Sequence, residues 1–456
     1  MKYLHKCRIP ARLMGVMAVL CMACTDLVDV DIPKNQLTGK AVFADSITAT
    51  GALLNVLVTH EQYINTAYLA LYTDELIYPQ SSETILEFYQ SRIAPNNSAN
   101  SNYWSRLYSM AYQCNAIIEN SSDETLSPGA SEQLEAEARF LRAYTYLLLQ
   151  NLYGHIPLVL TTDVSVSSRA SQVPEAAVYE QVIQDLEHAR AHLPVPATGT
   201  DNLRANGMSA AALLARASLY AGRWEDAARY ATELIQSPLY RLEVPPNVFA
   251  AASAETIFQI ASQQGAVAGV SSLVPPDAAT APTYPLSTLL VNAFEAGDTR
   301  RTAWIGTSTV PSADGETVFH YSAKYRNRTG GVASPEHLVC IRLGELYLIR
   351  AEARARMEDI AGAMDDVNAL RQRSGLGVLD SPGDAAACLD IILEERRKEL
   401  FLEGPHRLFD LRRFGKLDAV IGALKPTWQP AGVYFPIPLD ELRYNRNLEQ
   451  HQDYLR

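Results

Sequence analysis

Apolar residues recur every three or four positions over long stretches of the chain, and this spacing predicts amphipathic helices. Three stretches show it: residues 131–154, 208–236 and 342–375. One predicted face of the first stretch carries Leu134, Ala138, Leu141 and Leu148. In the second stretch Gly222 interrupts the pattern and is expected to turn the chain back on itself. The periodicity therefore predicts pairs of antiparallel helices.

The pair around Gly222 resembles a tetratricopeptide unit. The small and aromatic residues with the matching spacing are Ala215, Gly222, Trp224, Ala227 and Ala231. The tetrapeptide AEAR occurs at residues 136–139 and again at 351–354, as expected for divergent helical hairpins. Such hairpins bury their apolar faces only by stacking on one another. The pattern favours a mainly α fold with a stacked helical scaffold.

Polar, irregular stretches separate the periodic ones. They are residues 79–103, 194–207, 262–287 and 306–335, rich in Pro, Gly, Ser, Thr and Asn with interspersed aromatic rings. Long loops in a compact protein are commonly functional. Short strands are predicted at residues 256–261 and 433–438, so the scaffold is expected to carry a loop-rich lobe with few strands.

The N-terminus has the pattern of a secretory signal, with basic residues before the apolar segment 13–23. Cys24 follows Ala23, as in bacterial lipoproteins, and we expect it to carry the lipid anchor. Leu20 lies one position further from Cys24 than the usual motif requires, so ordinary cleavage that leaves Cys24 free is the alternative. The predicted organisation is a signal peptide at 1–23 and one domain at 24–456, with parts at 24–220 and 221–456.

Composition indicates a globular protein that does not bind polyanions in general. Of the 456 residues 48% are hydrophobic and 20% charged, and the formal net charge is −12. Residues 1–23 contain four basic residues and no acidic one, so the mature chain has a charge of −16. Nucleic-acid binding requires clustered Lys and Arg, and a nucleic-acid partner is not expected.

Motifs for catalysis, cofactors and metals are missing from the sequence. It contains no Walker loop, no GxGxxG after a predicted strand, no GxSxG and no HExxH. His188 and His192 share a helical face with charged neighbours, which favours solvated side chains over metal ligands. Neither an enzyme nor a cofactor is therefore predicted.

The mature chain also holds Cys114, Cys340 and Cys388, which lie far apart in sequence. Buried free thiols are expected, and one disulfide remains the alternative.

Acidic and basic residues alternate in the segment 394–416, EERRKELFLEGPHRLFDLRRFGK. Alternating signs suit ion pairs within and between helices, whereas phosphate binding requires one sign. Gly404 and Pro405 are expected to end the first helix of this segment. Composition therefore favours a structural role for the segment.

This segment closely resembles the C-terminal signature of the SusD/RagB family of outer-membrane nutrient-binding lipoproteins. Other segments resemble the family in the same order along the chain, among them YWSRLYSMAYQCNAIIEN (103–120), FEAGDTRR (294–301) and FPIPLDELRYNRNLEQHQDY (435–454). The resemblance implies about four tetratricopeptide-like hairpins with an irregular lobe and no catalytic activity. It also implies a lipid-anchored protein at the outer membrane that passes oligosaccharides to a SusC-like, TonB-dependent barrel transporter.

Under the resemblance the signature belongs to the scaffold. The residues expected to form a buried or half-buried ion-pair network are Arg396, Glu399, Glu403, Arg407, Asp410 and Arg412.

Sugars are recognised by aromatic rings over their flat C–H faces and by polar side chains at their hydroxyls. Two irregular regions, 72–104 and the insertion around 284–328, offer both kinds of group. The predicted ligand-binding residues are Asp74, Tyr78, Phe88, Tyr89, Arg92, Asn96, Trp104, Tyr284, Trp304, Tyr321 and Tyr325. For Trp104 and Trp304 the alternative is a place in the core.

Two other functions remain open from the sequence. The ligand of the same type of receptor could be a peptide, and a glycoside hydrolase would use paired carboxylates. Loss of turnover on removing carboxylates, against loss of affinity on removing rings, separates an enzyme from a binding protein.

Overall fold

The computed structural model describes residues 46–64, 66–121, 127–196, 201–312 and 315–455. The predicted signal peptide and Cys24 lie outside these residues. Among the residues described, the first nine α-helices are α1 (Ser46–Tyr63), α2 (Thr66–Tyr72), α3 (Glu83–Tyr89), α4 (Ser98–Asn120), α5 (Pro128–Tyr153), α6 (Val164–Ser167), α7 (Glu175–His192), α8 (Gly207–Tyr220) and α9 (Trp224–Ile235). The others are α10 (Val270–Leu273), α11 (Thr288–Val291), α12 (Thr299–Trp304), α13 (Leu343–Arg356), α14 (Ile360–Arg373), α15 (Ala385–Leu400), α16 (His406–Arg413), α17 (Leu417–Leu424) and α18 (Leu439–Tyr444). In the described ranges, every helix is too short or too polar to cross a bilayer.

The long helices stack in chain order. Helix α1 packs on α4, α4 on α5, α5 on α7, α7 on α8, α8 on α9, α9 on α13, and α13 on both α14 and α15. Each helix therefore buries its apolar stripe between two neighbours, as helical repeats do. The three predicted periodic stretches are confirmed as α5, the α8–α9 pair and the α13–α14 pair.

The α8–α9 hairpin shows how local sequence sets these turns. Asn206 caps α8, since its side chain accepts a hydrogen bond from the Ser209 amide while the Ser209 hydroxyl bonds back to Asn206. Gly222 turns the chain with a φ of 73°, a conformation that side chains with a Cβ disfavour. Helix α9 then packs on α8 and buries Ala227 and Ala231, in line with the small residues that the hairpin prediction requires.

The strands lie mostly in the lobe between α9 and α13. They are β1 (Ile156–Pro157), β2 (Gln172–Val173), β3 (Thr256–Ile260), β4 (Ile305–Ser312), β5 (Gly315–Ser322) and β6 (Leu338–Arg342). Strands β3 and β6 pair antiparallel, as do β1 with β2 and β4 with β5. The strand predicted at 256–261 is thus confirmed.

Two predictions about where strands lie are wrong. The stretch 306–335 was expected to be irregular, yet its first half is the β4–β5 hairpin. Most of its side chains are at least partly exposed, so the apolar alternation of a half-buried strand is missing. The segment 433–438 is not a strand: prolines limit pairing, and the chain instead buries Phe435 and Ile437, with the Phe435 amide bonded to the Leu152 carbonyl.

A buried ion-pair network joins the lobe to the last helices, with Glu399 at its centre. The Glu399 carboxylate lies 2.9 Å from Arg300, 2.6 Å from Arg342 and 2.6 Å from Arg373. These arginines hold its pKa far below the usual value, although burial alone would raise it. Arg342 also pairs with Glu403 at 2.7 Å, so residues far apart in sequence share one network.

The other residues of the predicted ion-pair network follow the prediction with one exception. Arg396 pairs with Asp410 at 2.7 Å, and Arg407 pairs with Asp74 at 2.8 Å. Arg412 instead donates to the carbonyl of Asn151 and carries no ion pair in the described contacts.

Helix α15 ends at Leu400, earlier than Gly404 and Pro405 predicted. Phe401 is already extended and Leu402 has a φ of 55°, so the chain leaves the helix before the two predicted breakers are reached.

The three described cysteines carry free thiols, of which Cys114 and Cys388 are buried and Cys340 is half-buried. The expectation of free thiols is confirmed over these residues.

His60 is buried beside the ring of Tyr144, with 5.1 Å between ring centroids. Burial lowers the pKa of His60 to about 4, from 6.5 for the exposed group. The unfolded chain therefore takes up a proton at His60 near pH 6.5, whereas the folded chain does so only near pH 4. Between pH 6.5 and pH 4 His60 therefore lowers the free energy of unfolding, and this loss becomes larger as the pH falls.

We expect the substitution His60→Phe to remove this effect. Between pH 7 and pH 5 the stability of the variant relative to the natural chain should rise by about 2 kcal/mol. Urea unfolding at pH 7, 6 and 5 measures the difference, and a difference that does not change with pH contradicts the prediction.

Candidate functional site

The fold brings the two sequence-predicted ligand regions into direct contact. The Ile77 amide donates to the Pro285 carbonyl at 2.9 Å, and Leu76 pairs with Leu286 in an antiparallel bridge. The Ser287 amide donates to the Glu75 carbonyl at 2.9 Å. Segments about 200 residues apart are therefore joined by backbone pairing whose residues are mostly buried.

Three tyrosines from these two regions and Tyr68 from α2 form what we name the tyrosine cluster: Tyr68, Tyr78, Tyr89 and Tyr284. The Tyr78 ring lies 6.0 Å from Tyr284 and 6.4 Å from Tyr89, and the Tyr68 ring lies 6.5 Å from Tyr284. Tyr78 and Tyr284 are 6% exposed, whereas Tyr68 and Tyr89 are half-buried. The buried pair thus supports two rings that reach the surface.

Short local contacts fix the chain around these rings. The Ser82 amide donates to the Tyr78 hydroxyl at 3.0 Å, at the start of α3. Asn97 caps α4 and donates to Glu87 at 2.7 Å, which closes the loop between α3 and α4. Arg92 and Asn96 are exposed in that loop, so charged and amide groups stand near the cluster along the chain.

Lys425 lies beside the cluster, with its ammonium group 5.4 Å from the centre of the Tyr89 ring. It donates to the Leu71 carbonyl at 2.6 Å and to the Ser91 hydroxyl at 3.0 Å. Burial lowers the pKa of Lys425 to about 7. The charge next to Tyr89 therefore changes close to neutral pH. Tyr68 and Lys425 were not among the sequence-predicted residues, because neither stands in a polar, irregular stretch.

Several predicted ligand residues lie in the interior instead. Asp74 is held by Arg407 at 2.8 Å and by Arg397 at 2.7 Å, and these arginines lower its pKa against the effect of burial. Phe88 is fully buried, and Trp304 is 1% exposed with its indole donating to the Pro245 carbonyl at 2.8 Å. These three side chains belong to the protein interior. They are buried and their polar groups are already bonded within the protein, so a ligand at the surface would not contact them.

The other two predicted residues of the second region, Tyr321 and Tyr325, contact neighbouring segments of the lobe. The ring of Tyr321 is half-buried and packs over Gly306, where a Cβ would come within 2.2 Å of it. Tyr325 is buried, and its hydroxyl accepts the Val339 amide at 2.9 Å. Of the second predicted region, Tyr284 alone enters the tyrosine cluster as far as the described residues extend.

Trp104 lies at the wall of a separate groove, which we name the α4 groove. It has a volume of about 460 Å³ and runs between α4, the segment 157–168 and the residues 441–448. Trp104 itself is 3% exposed and packs on Tyr108 and Tyr153, each with ring centroids 4.8 Å away. The alternative of a core tryptophan is therefore the one observed.

In the described part of the chain, no group of three or more His, Cys, Asp or Glu side chains is placed to hold a metal ion. His188 and His192 stack at 4.1 Å next to acidic side chains.

Two family models match the sequence. The one described as "SusD family" matches residues 292–454, and the one described as "Starch-binding associating with outer membrane" matches residues 29–219. SusD-like protein P2 of Formosa agariphila is 28% identical over 411 residues, which are 77% of this chain and 80% of that protein. SusD-like protein P38 of the same organism is 24% identical over 426 residues, 81% of this chain and 82% of its own.

Solved structures share the fold. A SusD superfamily protein from Bacteroides vulgatus superposes with a TM-score of 0.78 at 20% identity, covering 89% of this chain and 98% of its own. A laminarin binding SusD-like protein gives a TM-score of 0.76 at 23% identity, with coverage of 89% and 98%. At these identities the superpositions establish the architecture: a helical scaffold of tetratricopeptide-like units with a loop-rich lobe. With the two sequence matches that together span most of its length, the chain belongs to the SusD/RagB family.

Proposed function

We propose that this protein is a non-catalytic receptor at the outer membrane that binds oligosaccharides and delivers them to a SusC-like, TonB-dependent barrel transporter. The observation that carries the proposal is the tyrosine cluster, in which two buried rings support two partly exposed ones. Rings of this kind cover the apolar faces of sugars. Arg92 and Asn96, which are exposed in the loop that follows α3, offer hydrogen-bond donors for hydroxyl groups.

The cellular part of the proposal comes from the family and the N-terminus. One matching family is described as starch-binding and associated with the outer membrane. A lipid on Cys24 would hold the mature chain there, since several acyl chains bind a membrane far more firmly than one. The barrel transporter is proposed from the family resemblance.

Calorimetry tests the binding function. The full mature chain, with Cys24→Ser to prevent acylation, is titrated with neutral oligosaccharides and with peptides, and the samples are assayed for hydrolysis products. Saturable binding of a saccharide without products is expected. Product formation would show an enzyme, and binding of peptides alone would show the peptide receptor that the sequence left open.

Removal of an exposed ring tests the location of the site. Tyr89→Ala is expected to weaken saccharide binding by about tenfold, because a stacking surface is lost while the buried pair beneath it remains. Tyr347→Ala is the matched control, since Tyr347 is also a half-buried tyrosine but lies on α13 of the scaffold. Equal affinities of the two variants would place the site elsewhere.

A further inference from the structure

We propose that the α4 groove is a second saccharide-binding site, which takes a neutral oligosaccharide and is separate from the tyrosine cluster. The proposal shares its ligand class with the proposed function, but it depends on different residues. The groove volume of about 460 Å³ lies within the range of small-molecule sites.

Two aromatic rings are left open to solvent in this groove. Tyr112, in the middle of α4, is 52% exposed, and Tyr444, at the end of α18, is 83% exposed. They line the groove from different walls, Tyr112 from α4 and Tyr444 from α18. A flat ligand with apolar faces on both sides, such as a pyranose, can contact both rings.

The walls are tied together by hydrogen bonds that do not involve these two rings. From α4, the Tyr108 hydroxyl donates to the Pro157 carbonyl at 2.8 Å and the Asn115 amide group to the Val159 carbonyl at 2.9 Å. From the last segment, the Asn445 amide group donates to the Ala170 carbonyl at 2.8 Å. Because all three walls are fixed, little ordering is needed when a ligand enters, which favours affinity.

The polar groups of the groove match sugar hydroxyls. Ser105, Ser109 and Ser168 line it with exposed hydroxyls, and Glu441 contributes a half-buried carboxylate. Because its carboxyl group is partly withdrawn from water, the pKa of Glu441 is raised. The residues that line the groove include this acid and no Lys or Arg, so a neutral ligand fits and an anionic one is disfavoured.

The exposed side chains of Val164 and Val166 adjoin the groove in sequence, next to its lining residue Ser167. Apolar residues beside tyrosines also occur in protein interfaces. The lining itself, with hydroxyl groups and a carboxylate between the rings, favours the saccharide. Docking of a protein on this groove is the alternative, and the experiment must distinguish it from saccharide binding.

The experiment is calorimetry of the full mature chain carrying Cys24→Ser with maltoheptaose, laminarihexaose, xylohexaose and mannohexaose. We expect two sites for at least one of these probes. The double variant Tyr112→Ala/Tyr444→Ala should lose one site or weaken it by at least about tenfold, whereas Tyr89→Ala should affect the other. Tyr63→Ala, an exposed tyrosine of α1 outside both sites, is the control and should bind as the natural chain does.

The outcomes distinguish this inference from the proposed function. Loss of binding in the double variant alone, with Tyr89→Ala unchanged, supports the groove and contradicts the tyrosine cluster. Unchanged saccharide binding in the double variant overturns the inference, as does the absence of groove binding for all four probes. If the double variant keeps saccharide binding and loses co-purification with the barrel transporter, the groove is a protein interface and the inference is wrong.

Discussion

The substitution Glu399→Gln is expected to lower the free energy of unfolding by about 3–5 kcal/mol, because it removes the negative charge at the centre of a buried network. Glu399 is fully buried and lies within 3 Å of three guanidinium groups. Glutamine has nearly the same size as glutamate, so no cavity forms. The decrease in the free energy of unfolding is then due to the missing charge. The positive charges of Arg300, Arg342 and Arg373 would then lose a shared partner in a region without solvent.

Chemical unfolding at pH 7 measures this effect, with Glu394→Gln as the control. Glu394 lies on the same helix, but its side chain is 54% exposed and its contact with Arg397 is 3.7 Å long. That substitution should change stability by no more than about 0.5 kcal/mol. Similar losses in the two variants would mean that the buried network contributes no more than a surface pair.

Arg407→Ala is expected to lower the free energy of unfolding by about 3 kcal/mol and to leave the saccharide affinity of the folded protein unchanged. Arg407 and Asp74 are both buried and form a two-point contact, with distances of 2.8 and 2.9 Å. Without Arg407 the Asp74 carboxylate keeps its ion pair with Arg397, at 2.7 Å, among the described residues. The loss is therefore expected at the lower end of the range for broken buried pairs.

This variant decides between two roles for the signature segment. Thermal melting and calorimetry are compared with Arg443→Ala, whose arginine forms an exposed pair with Asp440 on α18. The control should melt as the natural chain does, since exposed pairs contribute about 0–1 kcal/mol. Lost affinity of Arg407→Ala at an unchanged melting temperature would move Asp74 and the signature into the binding site.

Much of the scaffold could be predicted because its signals are local. A helix repeats every 3.6 residues, so the buried face of α5 is already visible in the spacing of Leu134, Ala138 and Leu141. The turn at Gly222 is equally local, since only its own φ angle requires glycine. The β4–β5 hairpin escaped prediction because neither of its faces is buried enough to leave an alternating pattern.

The candidate site was predictable only in its general regions. Phe88 and Tyr89 are neighbours in the same polar stretch, yet the first is fully buried and the second reaches the surface. In the second region Trp304 and Tyr325 are buried, while Tyr284 meets Tyr78. All of these residues are aromatic and stand in irregular stretches, so residue class and local polarity could not separate ligand rings from core rings.

The sequence by itself determined the helical hairpins and favoured ion pairing by the alternating charges in 394–414, because these follow from periodicity and sign. It left one disulfide open, and the structure shows the three described cysteines as free thiols. Only the tertiary structure decided which carboxylate each arginine binds and which rings remain exposed. It placed Asp74 against Arg407 and Tyr78 against Tyr284, pairs separated by hundreds of residues. Burial in an irregular lobe depends on such long-range contacts, and no local pattern records them.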